Sequence, residues 1–331
     1  MIMNVGLWFL FAALFCFFGT ILLGKLLIPI LIEKKMGQKI LAIGPRWHMK
    51  KEGTPTMGGI CFLPPIILTG LLGCLLLRSH ATKQSVILLL LTVLFALSNG
   101  IVGVIDDLAK FRHKRNDGLT PKQKLLLQSV SAAAYLSLLS VFGFRPDLAR
   151  LPLPPPFKTE PLFYLLSAFL LVGIVNCANL TDGIDGLAAS VAAVLAGFFG
   201  LVGAGLLSET LSLFAGAIFG GAAGFLLFNY HPARVFMGDT GSLFLGAALA
   251  GCSFLAGDPL FIAFAGLLYV LEGLSVILQV GFFKITGGRR LFRIAPLHHH
   301  FEAIGWSEPR IVAVFSAFTL LSSAVAYLLL F

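Results

Sequence analysis

The chain has 331 residues, 58% of them hydrophobic and only 12% charged, with a formal charge of +9 and a mean hydropathy of +0.95. A soluble domain carries about 25% charged residues, so this balance excludes a soluble fold. It also removes the usual meaning of a basic chain, and no nucleic-acid partner is expected, because in a membrane the placement of positive charge matters more than its sum.

The apolar runs are long and continuous and do not alternate in short segments, so an all-α integral membrane protein is expected and a barrel is not. In chain order the predicted helices cover 5–32, 57–77, 85–108, 122–142, 161–178, 185–207, 211–229, 240–256, 259–283 and 310–331. Most hold the ~20 apolar residues needed to cross a ~30 Å hydrocarbon core. The first lacks a basic leader and a small-residue cleavage site, so it is expected to remain as a span. The eighth is short; the ninth is long and ends in charges, so it is expected to tilt or protrude. No internal repeat is evident, and residues 1–331 read as one polytopic domain. Cys16, Cys61, Cys74, Cys177 and Cys252 lie in apolar runs without a CxxC pair. They suit small buried hydrophobes, with no disulfide framework or thiolate metal site.

Lysine and arginine placement sets the orientation. One set of loops holds Lys34, Lys35, Lys39, Arg46, Lys50, Lys51, Lys110, Arg112, Lys114, Arg115, Lys122 and Lys124. Arg234, Lys284, Arg289, Arg290, Arg293 and Arg310 belong to the same set. The opposite set has only Arg78, Lys83, Arg145, Arg150 and Lys158, with a proline-rich stretch at 150–156. The first set is therefore expected in the cytoplasm and both termini outside. Asp106, Asp107, Asp117, Asp182, Asp185, Asp239, Glu302 and Glu308 fall on the cytoplasmic side, as do Asn176, Asn179, Asn229, His231 and the histidines at 298–300. Unpaired charge is costly at a membrane, so acids gathered at one face need a partner, a metal or a task.

Each polar motif has a plain alternative. In DDLAK (106–110), Asp106 and Lys110 share a helix face and can pair, but a pair accounts for one acid and leaves the other. Two acids beside basic residues suit phosphate and a divalent cation, since Mg²⁺ takes carboxylates together with phosphate oxygens. In NCANLTDGIDGLA (176–188), Thr181 or Asp182 can cap a helix with Asp185 in its first turn. Capping leaves Asn179 and one Asp over, and these can read a base or sugar edge beside Gly183 and Gly186. In FNYHPARVFMGDTGS (228–242), Asp239 or Thr240 can be an N-cap, in the company of Asn229, His231 and Phe236, whose ring can stack on a ligand or anchor at the interface. Consecutive His298, His299 and His300 do not converge on one ion, so contact with phosphate is favoured over zinc. KITGGRRLFR (284–293) before them is a positive-inside stretch that also suits an anionic substrate. Lys51 and Thr56 flank Pro55 at a loop-to-helix junction where they can contact a ligand.

TPTMGG (54–59), DDLAK (106–110), NLTDGIDGLA (179–188), FMGDTGS (236–242) and PLHHHFE (296–302) together resemble the polyprenyl-phosphate N-acetylhexosamine-1-phosphate transferases. TPTMGG and the histidine motif resemble the phospho-N-acetylmuramoyl-pentapeptide transferase branch. The likeness runs in order from the first cytoplasmic loop to the last. It implies ten transmembrane helices with both termini outside, a cytoplasmic-face active site, a bacterial plasma-membrane location, Mg²⁺, and a homodimer. It implies transfer of phospho-N-acetylmuramoyl-pentapeptide from UDP-MurNAc-pentapeptide to undecaprenyl phosphate, giving lipid I and UMP. By position Asp239 matches the Mg²⁺-binding aspartate, and Asp106 and Asp107 the paired catalytic acids. Lys51, Asn179, Asp182, Asp185, Asn229, Phe236, Gln279 and His299 match residues around the nucleoside and metal. His298, taken as catalytic, and His300 match the flanking histidines, and Lys110 and Lys124 the bases near the phosphates.

Two mechanisms are open: direct attack by the lipid phosphate with Asp106 orienting it or taking a proton, or a covalent aspartyl intermediate on Asp107 or its neighbour. Two other functions are weighed. A sibling transferase would use UDP-N-acetylglucosamine, against which the PLHHHFE form speaks. A cation-coupled transporter would place acids near mid-span, where only Glu272 lies deep enough.

Overall fold

The computed structural model describes residues 2–34, 36–37, 51–113, 118–144 and 159–330. The expected loop charges Lys35, Lys39, Arg46, Lys50, Lys114, Arg115, Asp117, Arg145, Arg150 and Lys158, and the prolines at 150–156, lie outside the described residues. Among those described, regular structure is helical apart from one bridge between Gly37 and Pro55. The helices are α1 (Ile2–Glu33), α2 (Leu63–Leu76), α3 (Lys83–His113), α4 (Pro121–Val141), α5 (Glu160–Thr181) and α6 (Leu187–Gly205). Then come α7 (Glu209–Asn229), α8 (Gly238–Leu255), α9 (Phe261–Ala265), α10 (Leu267–Ile285), α11 (Leu297–Ala303) and α12 (Glu308–Leu330). Eight of these, α1, α3 to α7, α10 and α12, are long and apolar enough to cross a membrane. The 14-residue α2 and the deeply buried α8 occupy the other two predicted positions.

Several ends follow from local chemistry. Thr120 and Gln123 form a reciprocal capping box, the Thr120 hydroxyl accepting the Gln123 N–H and the Gln123 amide oxygen the Thr120 N–H, with Pro121 in the first turn of α4. Ser208 caps α7 through the Leu211 N–H. The expected helix 57–77 starts late: Gly58–Cys61 is a 3₁₀ turn and α2 begins at Leu63. Pro64 and Pro65 carry no N–H, so an α-helix cannot run back through the preceding turn. The expected ninth helix is also divided, into α9 and α10, at Gly266. Glycine is the weakest holder of helical backbone after proline, and the change to a short second start occurs there.

The centre of the bundle is α7 and α8. Gly216, Gly220 and Gly224, one turn apart on α7, let the α1 backbone at Phe9, Ala13 and Phe17 lie directly against them. Side chains at these positions would force the helices apart, which is how small residues stabilise packing where lipid removes the hydrophobic contrast. On the other side α3 approaches α8 at Gly103, where a Cβ would overlap the Asp239 carbonyl. That close approach brings the polar end of α3 to the start of α8.

Candidate active site

Four helix ends build one cluster. Asp106 and Asp107 come from the last turns of α3, Lys124 from the first turn of α4, Asn179 from the end of α5 and Asp239 from the start of α8. Oxygens of Asp106, Asp107 and Asp239 lie within 4.8 Å of one another. Two lysines hold these acids together. Lys110 Nζ is 2.7 Å from Asp106 Oδ2, 2.9 Å from Asp239 Oδ2 and 3.6 Å from Asp107 Oδ1. Lys124 Nζ is 2.6 Å from Asp239 Oδ2 and 3.4 Å from Asp106 Oδ2. Three carboxylates and two ammoniums leave one negative charge, in a pocket whose low dielectric strengthens every remaining interaction. Asn179 donates to Asp239 Oδ1 at 2.7 Å and to Ser242 Oγ at 2.8 Å, which fixes the Asp239 carboxylate.

The three acids are not equivalent. Asp107 Oδ2 accepts the Thr240 N–H at 2.9 Å and its hydroxyl at 2.7 Å, and Oδ1 accepts the Asp239 N–H at 3.3 Å. It therefore caps α8 from another helix, in place of the side-chain cap that Met237 does not supply. Asp106 Oδ1 accepts the Leu119 N–H at 2.8 Å, while its buried Oδ2 lies against the two lysines. Asp239 is the most accessible of the three.

A second cluster stands beside the first. Lys51 Nζ lies 2.7 Å from Asp185 Oδ1 and 2.6 Å from Glu308 Oε1. Asp185 Oδ2 accepts from Ala233 N–H at 3.0 Å and faces His231 Nδ1 at 3.1 Å, while the Asp185 N–H donates to Glu308 at 2.9 Å. Between the clusters, Asp182 ends α5 and takes the Gly238 N–H. Burial first, then the charges of Asp239 and Asp107, push its pKa well above the usual carboxylate range.

The other expected residues take varied places. Buried Asn229 bridges the Gly186 N–H at 3.1 Å and the Val235 carbonyl at 2.9 Å, bracing the loop that leads to Asp239. Gln279 accepts the Leu291 and Phe292 N–H groups and donates to the Phe292 carbonyl, so it holds the segment before α11. Phe236 and Thr56 are half-buried; the Phe236 backbone pairs with Pro55 and Gly58, and the Thr56 N–H donates to Met36. His299 Nδ1 lies 2.6 Å from Glu302, and His300 Nδ1 accepts the Arg293 N–H at 3.2 Å. His298 is fully buried against Glu272. Sequence reasoning did not assign Glu272, Glu308, Thr240 or Ser242 to the site. An acid alone in an apolar run was the available signal for Glu272; the others depend on distant partners.

The family described as Glycosyl transferase family 4 matches residues 86–257. The phospho-N-acetylmuramoyl-pentapeptide-transferase signature 1 matches residues 51–63. The chain is 42% identical over 320 residues to the phospho-N-acetylmuramoyl-pentapeptide-transferase of Clostridium acetobutylicum, covering 96% of this chain and 98% of that protein. It is 41% identical over 312 residues to the Bacillus subtilis protein of the same name, with 94% of each covered. Against that of Shouchella clausii it is 44% identical over 307 residues, with 92% of each covered. The family match spans all three clustered aspartates and both lysines, and the signature spans Lys51 and Thr56.

Proposed function

The chain belongs to the phospho-N-acetylmuramoyl-pentapeptide-transferase family, and from that premise we propose how its clustered acids and lysines carry out the transfer. It is a multi-pass protein of the bacterial plasma membrane that transfers phospho-N-acetylmuramoyl-pentapeptide from its UDP-linked donor to undecaprenyl phosphate, giving lipid I and UMP. The observation that carries the mechanism is the meeting of Asp106, Asp239, Lys110 and Lys124 at one point. Phosphoryl transfer needs charge neutralised and oxygens placed more than it needs covalent help.

In this proposal an oxygen of the lipid phosphate attacks the sugar-linked phosphorus, the bond to the UMP oxygen breaks, and UMP leaves. Near pH 7 the acceptor is mostly dianionic, since its second pKa is about 6, so no strong base is required. Lys124, with two carboxylate contacts, has a proton to spare for a phosphate oxygen, and Lys110, whose three protons face Asp106, Asp107 and Asp239, adds its charge beside it. Asp106 orients the attacking phosphate or takes its residual proton through Oδ2. Asp107, whose oxygens already accept three bonds from α8, holds the architecture; this favours the direct route over an aspartyl intermediate on that residue. Lys51, Asp182, Asp185, Phe236 and His299 serve the nucleotide end of the donor.

The donor set fits Mg²⁺. It is hard oxygen, and Asp239 with Asp106 Oδ2 offers the carboxylate oxygens not taken by backbone N–H groups. When bound there, the ion would neutralise charge on the pyrophosphate. Chelation of divalent metal is expected to stop UMP release and added Mg²⁺ to restore it. Full activity in excess chelator would remove the metal from the proposal. A cytoplasmic site, termini outside and a homodimer complete the proposal on the resemblance and the charge placement; the acids' gathering at one end, with Glu272 paired internally, supports a transferase over a cation-coupled transporter.

A further inference from the structure

Glu272 of α10 and His298 of α11 are both fully buried, and the transfer mechanism above uses neither. One Glu272 oxygen accepts the His298 backbone N–H at 3.2 Å. The other faces His298 Nδ1 at 3.2 Å. On the far side of the ring Nε2 has no hydrogen-bond partner among the described residues. It packs against Gly183 so closely that a Cβ at 183 would overlap it. Gly183 belongs to the turn between α5 and α6 that carries Asp182 and Asp185.

We propose that Glu272 is a positioning residue: it locks His298 with its proton on Nδ1, and the ring so fixed seats the turn that presents Asp182 and Asp185 to the UDP-linked donor. A carboxylate only accepts, so the ring atom facing it must be the N–H. A proton on Nε2 would bury a donor against glycine with no acceptor. Both sides of the ring therefore demand one tautomer. The glycine follows from the same contact, because any larger residue at 183 would push the turn off the ring. The step from ring to donor rests on the proposed function; the tautomer does not.

Glu272→Gln separates this role from simple packing. The glutamine oxygen must still accept the His298 backbone N–H, which turns its NH₂ toward Nδ1. Nδ1 must then accept, and the ring proton moves to Nε2. The experiment is ¹⁵N-histidine spectroscopy of the full-length protein in detergent, with His298 assigned by loss of its signals in His298→Gln or His298→Asn. Wild type is expected to show protonated Nδ1 and unprotonated Nε2, and Glu272→Gln the reverse. In steady-state assays Glu272→Gln is expected to raise the donor KM ~10-fold, the scale on which a supporting partner acts, with the acceptor KM unchanged. Gly183→Ala is expected to raise the donor KM while leaving the wild-type tautomer, and it stands in for the kinetic arm if Glu272→Gln does not fold. A wild-type ring protonated at Nε2, or at both nitrogens, overturns the lock, whatever the activity. The expected tautomers with an unchanged donor KM in both variants overturn the link to the turn. A protein that shows the expected tautomer but transfers nothing counts against the proposed function and leaves the lock standing.

Discussion

Asp239→Asn is expected to lower UMP formation by ~10²–10³-fold, the scale on which losing one charge-stabilising group acts, while the protein still folds. Asp239 Oδ2 holds both Lys110 and Lys124, and Oδ1 accepts from Asn179. An amide of the same shape keeps one oxygen and replaces the other with NH₂. That NH₂ must face either two ammoniums or the Asn179 amide, and each is a donor. The lysines lose one of the two carboxylates that draw them together, and the best exposed oxygen pair for Mg²⁺ is gone. Burial is unchanged, so the fold should persist. Initial rates at saturating Mg²⁺, with thermal unfolding in the same detergent, check both halves. Wild-type turnover would take Asp239 out of the chemistry.

Asp107 calls for the opposite pattern, with stability affected first. Asp107→Ala removes the acceptor for the Thr240 N–H and hydroxyl and for the Asp239 N–H, all at the buried start of α8. Losing an N-cap costs about 1 kcal/mol, and removing one partner of a buried charge cluster raises the loss to ~3–5 kcal/mol. A drop of several degrees in the midpoint should follow, together with loss of activity as Asp239 moves. Asp107→Asn keeps an oxygen for Thr240 and should recover most of the midpoint. Equal stability of Asp107→Ala and wild type would show that this aspartate does not hold α8.

Much of the fold could be read from residue pattern because lipid imposes a simple rule: some twenty apolar residues per crossing. The exceptions have local causes of a kind hydropathy does not register. Pro64 and Pro65 delay α2, and Gly266 divides a run that is apolar on both sides. The site was legible as a gathering of acids, amides and bases at alternate helix ends, since such residues are expensive there. Their roles were less legible, because these depend on which helices touch. Asp107 became a cap only once Gly103 let α3 approach α8. Asn229 and Gln279 brace backbone segments. Lys51 meets Glu308 across 257 residues of sequence, a pairing that no local motif encodes.

Whether the lipid phosphate attacks directly can be measured by following UMP from enzyme and UDP-N-acetylmuramoyl-pentapeptide, first without and then with polyprenyl phosphate. Direct transfer at the Asp106–Asp239 cluster requires that no UMP form and no phospho-sugar remain on the protein until the acceptor is added, after which UMP and lipid-linked product appear together in equal amounts. A stoichiometric burst of UMP from the donor alone, with a labelled aspartate that passes its phospho-sugar to polyprenyl phosphate, would contradict it.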